Sequence, residues 1–292
     1  MLTALPAITL PVIDPIMISF GPVAIRWYAM SYVAGILLGW WLVHRLNEHT
    51  PKVFTQKALD DIIIWAIFGI ILGGRVGYIL FYNLPFYAHN PADILKVWQG
   101  GMSFHGGLLG VIIATWLFAK RHGLQYWRVI DLLAIVTPIG LCLGRLANFI
   151  NGELYGRAAS VQWAMIFPTD ETGLPRHPSQ LYESATEGVL LFIIMLLAAK
   201  NARLRAEPGR LSGIFLIGYG TFRAFCEHFR EPDAQLGFIA SQLTMGQLLC
   251  VPMVLYGIYL LRRTAPAIKK IPAEPNEKPA TPVKKRAKKA GK

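Results

Sequence analysis

The chain has 292 residues, of which 54% are hydrophobic and 16% charged, and its formal net charge is +12. With a mean hydropathy of +0.42, this composition excludes an ordinary water-soluble domain. Much of the positive charge gathers in a C-terminal tail with no folded module beside it, which argues against a nucleic-acid partner.

A membrane-crossing helix needs roughly 20 mainly apolar residues. The hydropathy pattern predicts an all-α polytopic membrane protein with about seven such helices. The opening residues MLTALPAITLPVIDPIMISFGP contain Pro6, Pro11, Pro15 and Pro22 and lack a basic start. They read as an amphipathic lead-in at the membrane surface rather than a cleaved signal. Helix one is expected at about 19–43, with Arg26 and Tyr28 near its beginning. Helix two, at about 60–82, holds Arg75. GGMSFHGG, from Gly100 to Gly107, opens helix three at about 103–120 and sets His105 between glycine pairs. Imidazole titrates near pH 6.5, so His105 suits proton transfer near neutrality, with a hydrogen-bonded structural histidine as the plain alternative.

Helix four, at about 129–150, runs into GRLANFINGELYG, from Gly144 to Gly156. Arg145 and Asn148 are three residues apart and share a face. Gly144, Gly152 and Gly156 let the backbone bend and approach a ligand. Non-helical backbone at this depth is tolerated only inside protein or along a cavity. The stretch therefore reads as a helix that breaks into a polar cavity wall. His177, in the following outer loop, reads as a loop residue. Helix five, at about 181–199, begins with Glu183 and Glu187, which either line the cavity or satisfy its arginines. Helix six, at about 211–229, puts Arg223 and Glu227 on one face with Arg230 just beyond, at spacings i, i+4 and i+7. Helix seven is expected at about 243–262 and carries no charge from Leu243 to Leu261. Two units follow: a membrane domain over 1–263 and a basic Pro/Lys-rich tail over 264–292, expected to be disordered.

Loop charge sets the expected orientation. Arg45, Lys52, Lys57, Lys120, Arg121, Arg128, Lys200, Arg203, Arg205, Arg262 and Arg263 fall on one side, and the opposite loops hold few basic residues. The positive-inside rule then places the N-terminus outside and the C-terminus and tail in the cytoplasm. Cys142, Cys226 and Cys250 lie within predicted helices with no metal-ligand or redox spacing and read as packing residues. No cofactor motif is present.

Arg26, Arg75, Arg145, Arg223 and Arg230 all sit in or beside apolar segments. A charge at the bilayer centre costs about 2.5–3.5 kcal/mol, so such residues have a reason to be there. In the expected topology they collect, with Tyr28, His105, Asn148 and Glu227, at the face opposite the basic loops. Arginine's planar fork suits phosphate oxygens, so the pattern indicates an anion site for a lipid head group near the outer leaflet.

GRLANFINGELYG resembles the signature of the bacterial phosphatidylglycerol–prolipoprotein diacylglyceryl transferases. IDPIMISFGPVAIRWYAMSY at Ile13, GGMSFHGGLLG at Gly100, RHPSQLYE at Arg176 and FREPDAQLG at Phe229 resemble further family blocks in the family's order. The resemblance covers about residues 10–262 and leaves out the tail. It implies transfer of a diacylglyceryl group from phosphatidylglycerol to a lipobox cysteine thiol of a prolipoprotein, forming a thioether and releasing glycerol phosphate. It further implies that Tyr28, His105, Arg145, Asn148, Asn151, Glu153, Gly156, Arg223, Glu227 and Arg230 matter. Arg145 and Arg223 are expected to hold the phosphate, Asn148 and Tyr28 to donate hydrogen bonds, Glu153 and Glu227 to orient arginines, and His105 to activate the thiol. The implied setting is the bacterial inner membrane, with the site towards the periplasm and no cofactor or metal. An anionic-lipid transporter with the same arginine cavity is the main competing reading. A scaffold with a basic recruiting tail and an acyltransferase acting on a glycerol phosphate are two others.

Overall fold

The structure is a computed structural model that describes residues 8–21, 23–49, 51–231 and 243–268. Residues 1–7, most of the tail, and the part of FREPDAQLG beyond Glu231 lie outside the described residues.

The chain begins with short strands. β1 (Ile8–Thr9) pairs in parallel with β4 (Met165–Ile166), and β2 (Ile16–Phe20) pairs with β3 (Val23–Arg26) in an antiparallel hairpin. This corrects the expected start of helix one, because α1 begins only at Trp27 and runs to Asn47. IMISF and VAIR are rich in β-branched and aromatic side chains, which favour a pleated strand. Gly21, at φ +58°, supplies the turn conformation between them.

The long helices follow the hydropathy pattern closely. α2 (Gln56–Tyr82) is N-capped by Thr55, whose side chain accepts from Ala58 N. α3 (Leu84–His89) and 3-10 turns at Pro91–Leu95 and Val97–Gln99 fill the next connection. α4 (Phe104–Arg121) is capped by Ser103, and α5 (Tyr126–Ile150) tolerates Pro138 in its interior. α6 (Ser179–Glu183), a π-helical turn (Ser184–Leu190) and α7 (Leu191–Lys200) form one continuous helical segment. α8 (Ala202–Ala206) is a short link before α9 (Arg210–Cys226), and α10 (Met245–Arg262) opens with a Thr244–Gln247 capping box.

Among the described residues, four helices are long and apolar enough to cross a membrane by length and composition: Gln56–Tyr82, Tyr126–Ile150, Ser179–Lys200 and Met245–Arg262. Their surfaces agree with a lipid setting, since Phe68, Leu72, Leu80, Leu197 and Leu255 are exposed along them. Helix pairs are drawn together by small residues. On α2 and α4, a Cβ added at Gly77 would meet Gly106 Cα at 2.6 Å, and one at Gly69 would meet Gly110 O at 2.9 Å. Gly213 of α9 faces Gly257 of α10, and Gly35 of α1 faces Gly140 of α5. In lipid there is little hydrophobic drive between helices, so close backbone approach supplies the association. The register Gly69–Gly110 and Gly77–Gly106 makes α2 and α4 antiparallel.

The buried apolar cluster, including Val43, Phe54, Phe118, Ile135, Leu191 and Leu211, joins these helices. Asp131 of α5 caps the start of α9 from outside it, accepting from Gly209 N at 2.6 Å and Ser212 N at 2.7 Å. This satisfies donors that a helix start leaves without partners.

Candidate active site

At the C-terminal end of α5 the helix stops at Ile150 and the backbone turns sharply. Gly152 takes φ +67° and Leu154 takes φ +57°, a left-handed conformation that costs a non-glycine residue energy. Two fully buried polar side chains from α6 clamp this turn. Gln180 Nε2 donates to Glu153 O at 2.7 Å and Ser179 Oγ donates to Leu154 O at 3.1 Å. GRLANFINGELYG thus breaks its helix as expected, and α6 holds the break in place.

Beside this turn lies an arginine–carboxylate cluster. Glu183 Oε2 sits 2.7 Å from Arg145 Nη2 and 2.7 Å from Arg223 Nη1. Arg223 Nη2 pairs with Glu227 Oε2 at 2.7 Å, and Arg230 Nη1 approaches the same oxygen at 3.9 Å. Glu187 Oε1 is 3.9 Å from Arg223 Nη1. The cluster therefore joins α5, the end of α6, the π-helical turn and the end of α9. Its carboxylates are almost fully buried, and buried charges of this kind persist only when paired. The π-helical turn carrying Glu187 widens the backbone where the cluster sits, and such turns recur at functional sites.

The other expected site residues make contacts of their own. Asn148 Nδ2 donates to Glu153 Oε1 at 2.8 Å, and Asn151 Nδ2 reaches the same oxygen at 3.3 Å. Among the described residues Glu153 has no ion pair with an arginine; the arginine-bridging place is taken by Glu183. Glu227 does pair with Arg223 and Arg230, as its spacing indicated. Gly156 is a backbone crossing: its N–H donates to His177 O at 2.9 Å, and Arg157 N donates to Phe229 O at 2.8 Å. A Cβ on Gly156 would press on His177 O at 2.7 Å and on the carbonyl of Phe229. Tyr28, near the start of α1, hydrogen-bonds Tyr32 at 3.2 Å and lies within electrostatic range of Glu153 and Arg145. His105 is exposed at the start of α4 with its ring edge-on to Phe104, and among the described residues no hydrogen bond or ion pair joins it to the cluster.

Arg75 does not belong to the cluster. Its guanidinium donates to the carbonyls of Ile94, Gly100, Gly101, Asp93 and Lys96, so it fastens the loop between α3 and α4. Sequence placed it with the anion-binding arginines because a folded-back loop leaves no local signal.

The outer loop has its own fastening. Arg176 bonds Asp170 and also Glu231 Oε2 at 3.0 Å, and its guanidinium lies over the Tyr155 ring. The Arg176 and Thr172 hydrogen bonds hold the Asp170 carboxyl down at about 2. His177 is pushed below its ordinary range by burial and contacts Tyr182 Oη at 3.1 Å. It is a strut of the loop, in line with its reading as a loop residue. Ser179 and Gln180 were not singled out from sequence, whereas Glu183 was read with Glu187 as lining the cavity or satisfying its arginines, and it takes the second role. The one available signal was a pair of glutamates four residues apart at the start of an apolar helix.

A glycine-packed helical bundle with apolar outer surfaces and a buried arginine–carboxylate cluster defines a helical membrane protein with a buried charged site. The family model for prolipoprotein diacylglyceryl transferase matches residues 15–263. Three proteins named phosphatidylglycerol–prolipoprotein diacylglyceryl transferase are similar over nearly their whole length. One from Azospirillum brasilense is 54% identical over 256 residues, covering 87% of this chain and 96% of that protein. One from Rhodospirillum centenum is 50% identical, covering 88% of this chain and 93% of that protein. One from Rickettsia felis is 52% identical, covering 88% and 99%. The chain belongs to the prolipoprotein diacylglyceryl transferase family.

Proposed function

We propose that the protein transfers the diacylglyceryl group of phosphatidylglycerol to the lipobox cysteine thiol of prolipoproteins. The sulfur forms a bond to the glyceryl carbon, the carbon–oxygen bond to phosphate breaks, and glycerol phosphate leaves. The observation that carries this reading is the convergence of Arg145 and Arg223 on one oxygen of Glu183 at 2.7 Å each. Two guanidiniums aimed at one point form a receptor for an oxyanion, and they stabilise the charge that develops on a departing phosphate. The family membership and the relatives' names support the same reaction.

Within this reading Arg145 and Arg223 hold the phosphate. Asn148, Asn151 and Glu153 shape the adjoining wall, and Tyr28 borders it from α1. Gly156 keeps the wall close to Phe229, and Glu227 steadies Arg223 and Arg230. A cysteine thiol titrates near about 8.5, so a positive field or a modest base raises its thiolate fraction. His105 is the proposed base, and His105→Gln is expected to lower turnover by about 10²-fold.

The proposed topology has seven spans, including α1, α4 and α9 beside the four long apolar helices. The N-terminus and the cluster face the periplasm, and the C-terminus lies in the cytoplasm of a bacterial inner membrane. The chain divides into a membrane domain over 1–263 and a basic tail over 264–292 that acts as a surface anchor. The decisive experiment mixes purified protein, phosphatidylglycerol and a one-cysteine lipobox peptide and follows the peptide by mass spectrometry. A mass gain matching diacylglyceryl, abolished when the cysteine becomes serine, supports the transferase. No gain from folded protein would favour lipid transport instead.

A further inference from the structure

Glu183 holds a position that an oxyanion ligand would need. Its Oε2 bridges Arg145 and Arg223 at 2.7 Å on each side, and its side chain is 1% exposed. Its other oxygen, Oε1, is buried without a hydrogen-bond partner among the described residues. All of its pairing is therefore concentrated on the fork between the two guanidiniums. Arg223 has a second firm partner in Glu227 at 2.7 Å and a looser one in Glu187 at 3.9 Å, so it stays paired when Glu183 turns away. Arg145 is the more accessible arginine of the fork, 20% exposed against 11% for Arg223.

We propose that Glu183 is an internal competitor for the substrate phosphate: its carboxylate occupies the Arg145–Arg223 fork, and the phosphate of the anionic lipid binds by displacing it. This rests on the transferase reading for the lipid's identity. The arrangement solves a stability problem, because two arginines facing one another in a buried site would repel without an anion between them. It also sets a threshold. A head group without phosphate exchanges charge-assisted bonds for weaker ones, whereas a phosphodiester replaces them in kind, and a zwitterionic lipid adds an ammonium that the two guanidiniums repel. Selectivity for phosphate-bearing head groups then comes from the competing carboxylate, and discrimination against an added ammonium from the arginines.

Two substitutions separate direct competition from a general field effect. E183Q and E187Q each remove one negative charge from the same cluster. A field effect raises affinity for an anion in both. Direct competition raises it chiefly in E183Q, because only Glu183 sits in the fork. The test measures phosphatidylglycerol binding to the purified full-length protein in neutral-lipid nanodiscs, with phosphatidylcholine as the control lipid.

E183Q is expected to bind phosphatidylglycerol about tenfold more tightly than wild type, equivalent to about 1.4 kcal/mol, and E187Q less than about threefold more tightly. Equal gains in the two variants, weaker binding by E183Q, or no binding by any of the three proteins would overturn the proposal. Should E183Q not yield folded protein, E183D carries the same test. Its shorter chain reaches the fork less well, so it gains affinity under competition, and unchanged or weaker binding overturns the idea. Turnover of the lipobox peptide is scored separately on wild type. Its failure removes the transfer reading, while the difference in lipid binding between E183Q and E187Q still judges the fork.

Discussion

Arg145 and Arg223 meet the same carboxylate oxygen but are not equivalent, and their substitutions should fail in different ways. Among the described residues Arg145 has one close charged partner, Glu183 at 2.7 Å, and is 20% exposed. Arg145→Ala leaves Glu183 paired with Arg223, so the folded state should lose only about 1 kcal/mol, the scale of a partly exposed ion pair. Removing one preorganised donor from a developing oxyanion costs about 2.7–4 kcal/mol, or roughly 10²–10³-fold in turnover. Arg145→Lys keeps the charge and loses the fork, and about tenfold is expected. Arg223→Ala instead takes from Glu187 its arginine partner among the described residues, leaves Glu227 with Arg230 at 3.9 Å and Glu183 with Arg145 alone, and breaking a buried pair costs about 3–5 kcal/mol. It should lower the unfolding temperature in detergent before activity is considered. The assay is peptide modification by mass spectrometry beside a thermal melt of each variant. Folded Arg145→Ala with a kcat/KM within threefold of wild type would refute the phosphate role.

Three further outcomes follow from the fastenings around the site. Arg75→Ala frees the carbonyls of Asp93, Ile94, Lys96, Gly100 and Gly101 and should cost about 3 kcal/mol, read as a lower melting temperature and faster proteolysis within residues 91–101; an unchanged cleavage rate would contradict the fastening. Gly156→Ala drives a methyl group into the carbonyls of His177 and Phe229, which are backbone atoms with little room to yield, and should cost about 1–3 kcal/mol along with most of the activity. Asp170 has a depressed folded-state pKa, so its contribution is complete above its unfolded value near 3.8 and is lost as pH falls through about 2. Acid melts of wild type should therefore fall more steeply between about pH 4 and 2 than those of Asp170→Asn, which lacks the titrating group; parallel curves would show that the Arg176 clamp does not couple to folding.

The parts of the fold written in local periodicity were legible. Helices expected at about 60–82 and 103–120 occur at Gln56–Tyr82 and Phe104–Arg121, because lipid-facing apolar runs and capping residues such as Thr55 and Ser103 mark their ends. The start of helix one was not legible. IMISF–GP–VAIR is apolar enough to extend a helix, and only its pairing as a hairpin separates the two readings. In the site, Arg223, Glu227 and Arg230 were readable because spacings of three and four place side chains on adjoining turns. Glu183 was left between two roles, since nothing local says that an arginine from α5 and another from α9 will meet it. The clamps from Ser179 and Gln180 and the loop fastening by Arg75 depend on segments 18–27 residues away in the chain. Sequence carries the residue types for such contacts and not their partners.

The glycine packing and the charged cluster are two sides of one design problem. Lipid gives apolar helices little reason to associate with each other. Gly69, Gly73 and Gly77 against Gly106 and Gly110, and Gly213 against Gly257, bring backbones close enough for dispersion to hold the helix pairs. The cluster works the opposite way. Arg145, Glu183 and Arg223 come from three different helical segments, and none of these charges is tolerable in lipid unless the others are in place. Tight pairs thus give the bundle its spacing, while the cluster makes that spacing conditional on correct assembly at one end. The consequence for chemistry is direct. A site whose charges are already balanced by its own carboxylates can be folded in the membrane before any substrate arrives, and an anion then enters by exchanging with a partner the protein supplied.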